Sequence, residues 1–302
     1  MINLIERINE LKKAKKAIIL AHSYQNIEID QVADYVGDSL YLSQKAKETD
    51  AEIIVFAGVY FMAQTAKIIS PNKKVLLPNI NAGCLMADMI NSEQMREFKA
   101  KYPNLPTVCY INSTAEVKAQ CDICCTSSNA VEIVKSLNAP KVLFVPDGNL
   151  GKYVESQLSN VEVITYSGCC PVHDNVTTQD IIEKRKKYPK AKILIHPECR
   201  PDVSSLGDYI GSTSGIFDYV RNSSDKQFVI VTEKGVTDRL KRDYPEKEFI
   251  SISNNMLCES MKLTSLEEIL HSLENEVNEI KLDESIRTLS KSCIERMLKV
   301  SK

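Results

Sequence analysis

The stretch AEIIVFAGVYFMAQTAKIISPNKKVLLPNINAGC, residues 51–84, shows the pattern that decides the fold. A β-branched apolar run is followed by a helical stretch, a polar break and a second apolar run, which is typical of a βαβ unit. Residues 140–170 and 226–258 have the same pattern. The three segments end at cysteines that lie 86 and 88 residues apart, namely Cys84, Cys170 and Cys258.

The part of the chain that precedes each segment also repeats. Strand-like runs at 16–24, 106–114 and 191–199 end in polar residues, and a turn of small residues follows each run. The strand end and the turn are 16 or 17 residues apart in every copy, at His22 and Ser39, Tyr110 and Ser127, and His196 and Ser212. The sequence therefore predicts an α/β fold with three pseudo-symmetric α/β/α repeats, whose small parallel sheets surround a central active site.

These spacings set the expected limits of the repeats. We expect the first α/β repeat at 1–86, the second at 87–172 and the third at 173–260. The remainder, 261–302, contains stretches with a Ser or Thr start, an acidic first turn and helical apolar spacing. We expect these C-terminal helices to pack back on the body of the protein.

The composition narrows the class of protein. The chain has 302 residues, is 43% hydrophobic and 26% charged, and carries a formal charge of −2, which excludes a membrane protein and does not indicate nucleic-acid binding. The N-terminal stretch reads as an amphipathic helix that leads into a strand, not as a signal peptide, so we expect a cytoplasmic protein. Ten cysteines in a reducing compartment point to buried thiols, metal ligands or a nucleophile.

Polar residues at the strand ends predict where the function lies. In parallel α/β sheets, ligands bind beyond the carboxyl ends of strands, and helix starts offer free N–H groups to anions. Three such edges facing one another would form a central pocket, lined by His22, Tyr24, Ser39, Tyr110, Asn112, Ser127, His173, His196, Glu198, Ser212 and Thr213. Any one of these residues alone is more often structural, such as a helix N-cap.

One cysteine from each repeat would converge on this pocket. Structural zinc prefers four protein ligands, whereas a [4Fe–4S] cluster held by three cysteines leaves one iron open as a Lewis acid. The stretch GCCPVH at 168–173 holds two adjacent cysteines, and spacing alone leaves open which of them is the ligand. The CxxC in CDICC at 121–125 has no second pair at zinc-finger distance, so a zinc or dithiol site there is disfavoured.

A set of motifs distributed along almost the whole chain carries a family resemblance. It includes HSYQ (22–25), LPNINAGC (77–84), CYINSTAEVKA (109–119), GCCPVH (168–173), HPEC (196–199), GSTSG (211–215) and TEKG (232–235). In this order the motifs resemble the quinolinate synthase family of bacterial NAD biosynthesis. The resemblance implies a triplicated α/β enzyme with one [4Fe–4S] cluster. The implied reaction condenses iminosuccinate with dihydroxyacetone phosphate to quinolinate, with loss of phosphate and two waters.

The resemblance also implies roles for individual residues. Cluster ligation falls on Cys84, Cys170 and Cys258, so Cys169 is interpreted as a packing residue. Substrate binding falls on His22, Ser39, Tyr110, Asn112, Ser127, Ser212 and Thr213, with His196 and Glu198. The implied acid–base residues are Tyr24, His196, Glu198 and His173. An aspartate oxidase or aspartate dehydrogenase is implied as the supplier of iminosuccinate.

Two other interpretations of the sequence remain. A three-cysteine iron–sulfur redox sensor or cluster carrier would share the ligands but would have no use for a carboxylate-binding pocket. A zinc hydrolase on the same residues is distinguishable by metal content. The remaining cysteines are interpreted as structural: Cys109, Cys121, Cys124, Cys125, Cys199 and Cys293.

Overall fold

The computed structural model describes residues 3–301 and contains three separate parallel sheets of four strands. In the first sheet the strands are β1 (Ala17–His22), β2 (Tyr35–Gly37), β3 (Ile53–Ala57) and β4 (Lys74–Leu76). Their spatial order is β2-β1-β3-β4, and every pair is parallel.

The other two sheets repeat this topology. The second comprises β5 (Thr107–Tyr110), β6 (Ile123–Cys125), β7 (Lys141–Val145) and β8 (Glu162–Thr165), in the order β6-β5-β7-β8. The third comprises β9 (Lys192–Ile195), β10 (Tyr209–Ile210), β11 (Gln227–Val231) and β12 (Glu248–Ser251), in the order β10-β9-β11-β12. The predicted fold class of three small α/β repeats with parallel sheets is confirmed.

Helices alternate with the strands along the chain. They are α1 (Leu4–Ala14), α2 (Ser39–Glu48), α3 (Tyr60–Ile69), α4 (Ser92–Lys101), α5 (Ala115–Lys118), α6 (Ala130–Ser136), α7 (Gly148–Ser156), α8 (Pro171–Asp174), α9 (Thr178–Lys187), α10 (Pro201–Ser204), α11 (Thr213–Asn222), α12 (Lys234–Asp243), α13 (Glu259–Lys262), α14 (Leu266–Asn275) and α15 (Glu284–Val300). Two short 3₁₀ helices lie at Ile27–Gln31 and Ala87–Met89. Across residues 3–301, every helix is too short or too polar to cross a membrane.

Local sequence signals explain why these elements form. All residues of β3 are buried, as expected of a strand in a parallel sheet covered by helices on both faces. The first helix of each repeat begins with a capping box, in which Asn3, Asn91 or Thr177 caps the helix and the residue three positions later bonds back to it. The same start signal therefore opens each of the three units.

The strand order determines where a ligand can bind. In each sheet the second strand pairs with one edge of the first strand, and the third strand pairs with its other edge. The fourth strand then pairs with the third. This reversal produces a switch point between the first and third strands, and ligands bind outside the carboxyl ends of strands at such points. The residues that follow β1, β5 and β9 are therefore the expected site residues.

The C-terminal helices contact the body at two places. Helix α14 packs against α1 and β3 of the first sheet, whereas α15 packs against β6, α5 and α6, and also against α3. The repeat limits at 86, 172 and 260 stay predictions.

Candidate active site

A cavity of about 480 Å³ lies between the three sheets. Its lining comes from loops at the carboxyl ends of strands in all three repeats. The predicted site residues that line it are His22, Tyr24, Ser39, Cys84, Tyr110, Asn112, Ser127, Cys170, His173, His196, Glu198, Thr213 and Cys258. Ser212 is not among the lining residues, because its hydroxyl accepts the backbone N–H of Gly215 at 3.1 Å and caps α11.

Equivalent strand ends supply different side chains in the three repeats. The first strand of each sheet ends at or just before His22, Tyr110 or His196. Two residues further on lie Tyr24, Asn112 and Glu198. One backbone scaffold thus presents imidazole, phenol, amide and carboxylate groups to a common cavity.

His22 and His196 are held as neutral rings. The Nδ1 atom of His22 accepts the backbone N–H of Tyr24 at 3.2 Å, and Nδ1 of His196 accepts that of Glu198 at 3.3 Å. Each neutral ring therefore carries its proton on Nε2. Burial lowers the pKa of His22 to about 4 and that of His196 to about 3. Both rings can donate a hydrogen bond to a ligand at neutral pH.

Glu198 lies between hydrogen-bond donors from two repeats. Oε1 accepts the hydroxyl of Tyr110 at 2.5 Å, and Oε2 lies 2.9 Å from Nδ1 of His173. Burial opposes ionisation of this carboxyl, but the neighbouring His196 and His173 and the bonds from His173 and Tyr110 lower its pKa below the ordinary value. Glu198 is thus an ionised carboxylate in a buried place.

A chain of hydrogen bonds connects Glu198 with Tyr24. The Nε2 atom of His173 lies 2.9 Å from the hydroxyl of Thr232, and that hydroxyl lies 2.9 Å from Oη of Tyr24. Thr213 donates to the same Oη at 3.2 Å. One arrangement of protons satisfies these four contacts, with Thr213 donating to Tyr24, Tyr24 to Thr232, Thr232 to His173 and His173 to Glu198. This series of hydrogen bonds leads from the phenol of Tyr24 to the carboxylate of Glu198. Nδ1 of His173 also lies 3.2 Å from Sγ of Cys170.

Both tyrosines of the site are protonated at neutral pH. Burial and the charge of Glu198 raise the pKa of Tyr24 and that of Tyr110 well above the ordinary value. Each phenol can therefore act as a proton donor.

The starts of three equivalent helices, α2, α6 and α11, meet beside the cavity. Asp38 caps α2, and its Oδ2 atom accepts the hydroxyl of Ser128 and that of Ser214, each at 2.7 Å. One carboxylate of the first repeat thus joins the second and third repeats. Hydroxyls at these helix starts reach the cavity from Ser39, Ser127 and Thr213. Helix starts favour anionic ligands, because their N–H groups and dipoles carry partial positive charge.

The charges around the cavity are unusual for a site that receives anions. Within residues 3–301, no lysine or arginine lines the cavity, whereas Asp38, Glu198, Glu233 and Glu259 do. Neutral hydroxyls, imidazoles and backbone N–H groups must therefore supply the hydrogen bonds to an anionic ligand.

Two cations behind the cavity hold the segment that carries Tyr24. Arg239 donates through Nη1 to the carbonyl of Ser23 at 2.8 Å and to that of Gln25 at 2.9 Å. Lys262 donates to the carbonyl of Tyr24 at 2.5 Å. Three consecutive carbonyls of the first repeat are thus fixed by side chains from α12 and α13, which orients Tyr24.

The three expected thiols lie at equivalent points, each after the fourth strand of its sheet. Cys170 and Cys258 cap the short helices α8 and α13, and Cys84 precedes the 3₁₀ helix at Ala87–Met89. Burial raises the pKa of all three, to about 12 for Cys84, where the nearby Cys258 adds to the effect. They are neutral thiols unless a metal ionises them.

The described residues bring together one group of donors that could hold a metal ion, and it includes only one of the three expected cysteines. The atoms of Cys170, His173 and Glu198 that could bind a metal all lie within 4.8 Å of one another. The backbone N–H of Cys258 is held by Oε1 of Glu233 at 3.4 Å. In the part of the chain that the structure describes, no fourth thiol lines the cavity, and Cys169 lies outside the lining.

Several residues that build the site were not predicted as site residues. Asp38 lies in the turn at 37–39, and Thr232 and Glu233 lie in the motif TEKG. The contacts of Asp38 with Ser128 and of Thr232 with Tyr24 join different repeats, whereas Glu233 contacts Cys258 within the third repeat. Arg239 and Lys262 act from behind the cavity on backbone carbonyls. Their position just after a strand end or in a helix cap was the available signal for the first three.

A threefold α/β scaffold whose cavity gathers acid–base and thiol side chains from all repeats defines an enzyme that acts on small molecules. The family model for the quinolinate synthetase A protein matches residues 6–299, and the chain belongs to that family, as the sequence motifs indicated.

Curated relatives agree with this assignment. The chain is 50% identical to the quinolinate synthase of Alkaliphilus metalliredigens (strain QYMF) over 298 residues, which cover 99% of this chain and 98% of the relative. It is 50% identical to that of Dehalococcoides mccartyi (strain CBDB1) over 294 residues, with 97% of each chain covered. It is 48% identical to that of Methanosarcina barkeri over 297 residues, which cover 98% of this chain and 97% of the relative.

Proposed function

We propose that the protein is a quinolinate synthase of NAD biosynthesis that condenses iminosuccinate with dihydroxyacetone phosphate. The products are quinolinate, phosphate and two waters, which balances the atoms of the two substrates. The observation that carries the proposal is the convergence of Cys84, Cys170 and Cys258 with the Tyr24–Glu198 hydrogen-bond chain on a single cavity.

The proposed cofactor is one [4Fe–4S] cluster held by Cys84, Cys170 and Cys258. The support is chemical: three thiols from three repeats face one cavity, and a cluster with three thiolate ligands keeps one iron open. When bound, such a cluster supplies a Lewis acid that can bind a substrate oxygen and assist its departure.

Iminosuccinate would bind through its two carboxylates. The proposed donors are Nε2 of His22, the hydroxyls of Ser39, Ser127 and Thr213, and the N–H groups at the helix starts, including the one capped by Ser212. Tyr110 and Asn112 would orient the bound substrate from the second repeat. All these groups are neutral, so the site would recognise carboxylates by shape and hydrogen bonds.

Tyr24, His173, His196 and Glu198 would carry out the proton transfers. Isomerisation of the sugar and closure of the ring remove protons from carbon and release hydroxyl groups as water, so the site must both accept and donate protons. Tyr24 can take up a substrate proton at Oη while its own proton passes to Thr232 and along the hydrogen bonds toward Glu198. Glu198, held ionised, accepts a proton at Oε2 from His173. His196 can donate from Nε2.

Metal content tests the cofactor, and product formation tests the reaction. Protein purified without oxygen should hold about four irons and four sulfides per chain, as a [4Fe–4S] cluster requires. Replacement of Cys84, Cys170 or Cys258 by serine should remove the iron, whereas Cys169→Ser and Cys121→Ser should retain it. Quinolinate formed from iminosuccinate and dihydroxyacetone phosphate is then measured directly. A loaded cluster without quinolinate would instead favour the redox sensor or cluster carrier.

A single bound metal ion is the competing outcome for the donor set. Cys170, His173 and Glu198 alone could hold one zinc ion, which would support a hydrolase. One zinc per chain that persists in Cys84→Ser and Cys258→Ser would overturn the cluster proposal.

The proposed setting is the cytoplasm, with iminosuccinate supplied by an aspartate oxidase or aspartate dehydrogenase. Iminosuccinate is an imine that water hydrolyses, so its supplier must work nearby. Aspartate and such an enzyme, added with dihydroxyacetone phosphate, should support quinolinate formation. Failure of this coupled assay, with success on chemically prepared iminosuccinate, would remove the supplier from the proposal.

A further inference from the structure

A second group of thiols lies away from the active-site cavity. Cys109 and Cys124 are register partners on the neighbouring strands β5 and β6, so their side chains lie beside each other on one face of the sheet. Helix α15 packs against β6, and it places Sγ of Cys293 only 3.1 Å from Sγ of Cys124. Cys121 precedes β6, three positions before Cys124, and its Sγ donates to the carbonyl of Val117 at 3.2 Å.

This arrangement differs from ordinary buried cysteines, which behave as small apolar residues. Lys118 is fully buried, donates to the carbonyl of Ser113 and faces the ring of Phe61 at 5.4 Å. A buried ammonium near the thiols of Cys109, Cys124 and Cys293 stabilises a thiolate. Burial opposes ionisation of Cys109, but the thiols of Cys121 and Cys124 and the charge of Lys118 lower its pKa well below the ordinary value.

We propose that Cys124 and Cys293 form a redox-active dithiol site that a small disulfide converts into a protein disulfide, with Cys121 and Cys109 as the relay. A disulfide needs sulfur atoms about 2.05 Å apart, so the two thiols must approach by about 1 Å. The inference does not depend on the proposed function, because none of these four residues lines the cavity described above.

The relay follows from burial. Cys124, Cys109 and Cys293 are 0 to 1% exposed, whereas Cys121 is partly exposed. The partly exposed Cys121 thiol would give up its proton to solvent, attack the small disulfide and release one thiol; Cys109 would then attack Cys121 and release the second. Cys124 would attack Cys109, and Cys293 would attack Cys124, which leaves the Cys124–Cys293 bond. In total, two protein thiols are oxidised and one small disulfide is reduced to two thiols.

The bond would fasten the C-terminal helix to the second sheet. Cys124 and Cys293 are 169 positions apart, so the bond closes a long loop in the unfolded chain. Closure of such a loop restricts the unfolded state and raises the Tm, here by roughly 5 °C.

The test uses glutathione disulfide as the probe on the anaerobically purified full chain. After alkylation and digestion, mass spectrometry should find a peptide pair joined through Cys124 and Cys293, and the Tm should rise. Cys293→Ser and Cys293→Ala should each remove the cross-link and the rise in Tm. Cys125→Ser is the matched control, because Cys125 is buried on the same strand but points to the opposite face. Cys125→Ser should retain both the Cys124–Cys293 cross-link and the rise in Tm.

Two further measurements make the result decisive. Cys121→Ser should slow the cross-linking at least tenfold without changing its final extent, which tests the relay. Bound iron should be the same in Cys124→Ser, Cys293→Ala and the parent chain, which separates this site from the proposed cluster. The proposal is overturned if glutathione disulfide joins no pair, joins a different pair, or joins Cys124 to Cys293 only in urea.

Discussion

The hydroxyl of Thr232 lies 2.9 Å from Oη of Tyr24 and 2.9 Å from Nε2 of His173, and it is the link between the phenol and the buried carboxylate of Glu198. Thr232 follows β11 of the third repeat, whereas Tyr24 follows β1 of the first. The proton path of the proposed reaction therefore crosses a boundary between repeats. The one sequence signal that marks Thr232 as part of a site is its position directly after β11.

Replacement of Thr232 by valine should interrupt this path while preserving the shape of the side chain. We expect a kcat about 10- to 100-fold lower with little change in KM, since acid–base catalysis contributes factors of this order. Thr232→Ser, which keeps the hydroxyl, should restore most of the rate. Thr237→Val is the matched control, because Thr237 is equally buried and its hydroxyl has no partner. Equal rates for Thr232→Val and the parent would exclude the path.

The buried ring of His22 should make the free energy of unfolding decrease as the pH is lowered. Its pKa is about 4 when folded, against 6.5 when unfolded, because burial disfavours the charged ring. Between these values the unfolded chain binds a proton that the folded chain does not bind. Stability is therefore complete above about pH 6.5 and falls as the pH drops toward 4, by on the order of 3 kcal/mol.

Urea unfolding at pH 7 and pH 5 measures this effect. His22→Asn retains an acceptor for the N–H of Tyr24 but cannot titrate, so its stability should fall less on acidification than that of the parent. His271→Asn, at an exposed position on α14, should behave as the parent does. An unchanged difference between the two pH values in His22→Asn would contradict the assignment.

Arg239 should be a major contributor to stability. It is 2% exposed, pairs with Asp30 and donates to the carbonyls of Ser23 and Gln25. Arg239→Met leaves Asp30 and the carbonyls without this partner and should cost about 3 to 5 kcal/mol in the free energy of unfolding. Arg242 also pairs with Asp30 but is about half exposed, so Arg242→Met should cost no more than about 1 kcal/mol. If denaturant unfolding shows the same loss of stability in Arg239→Met and Arg242→Met, the bonds from Arg239 to the carbonyls are not the cause.

Gly168 should be sensitive to the smallest added side chain. A Cβ atom there would lie 2.6 Å from the carbonyl oxygen of Pro146, so the backbone just before Cys170 must move. Gly168→Ala should cost about 1 to 3 kcal/mol and lower the bound iron. Gly83 precedes Cys84, and a Cβ there meets nothing closer than 3.8 Å. Gly83→Ala should keep its iron and its stability; parallel losses in both variants would show that steric contact is not the cause.

The sequence predicted the features that repeat. The period of the apolar runs located the strands and the cysteines Cys84, Cys170 and Cys258, and the polar strand ends located His22 and Glu198. These positions obey local rules of patterning, so one chain is sufficient to find them. The resemblance to one family then selected Cys170 over Cys169.

Contacts between repeats could not be predicted in the same way. Asp38 meets Ser128 and Ser214 only because three separate sheets adopt one relative orientation, which no local pattern encodes. Arg239 lies on α12, and local patterning does not distinguish it from the other basic residues of that helix. The substrate-binding role of Ser212 stays a prediction; the residue caps α11, and a serine that caps a helix and a serine that binds a ligand look alike in sequence.

The equivalence of His22, Tyr110 and His196 has a consequence for how such a site could arise. An assembly of three identical single-repeat chains would present the same side chain at all three strand ends. Here one continuous polypeptide carries the copies, so each corner is free to specialise: two neutral imidazoles and one phenol, followed by Tyr24, Asn112 and Glu198. Because the repeats are covalently joined, a nearly threefold-symmetric fold can contain an asymmetric active site.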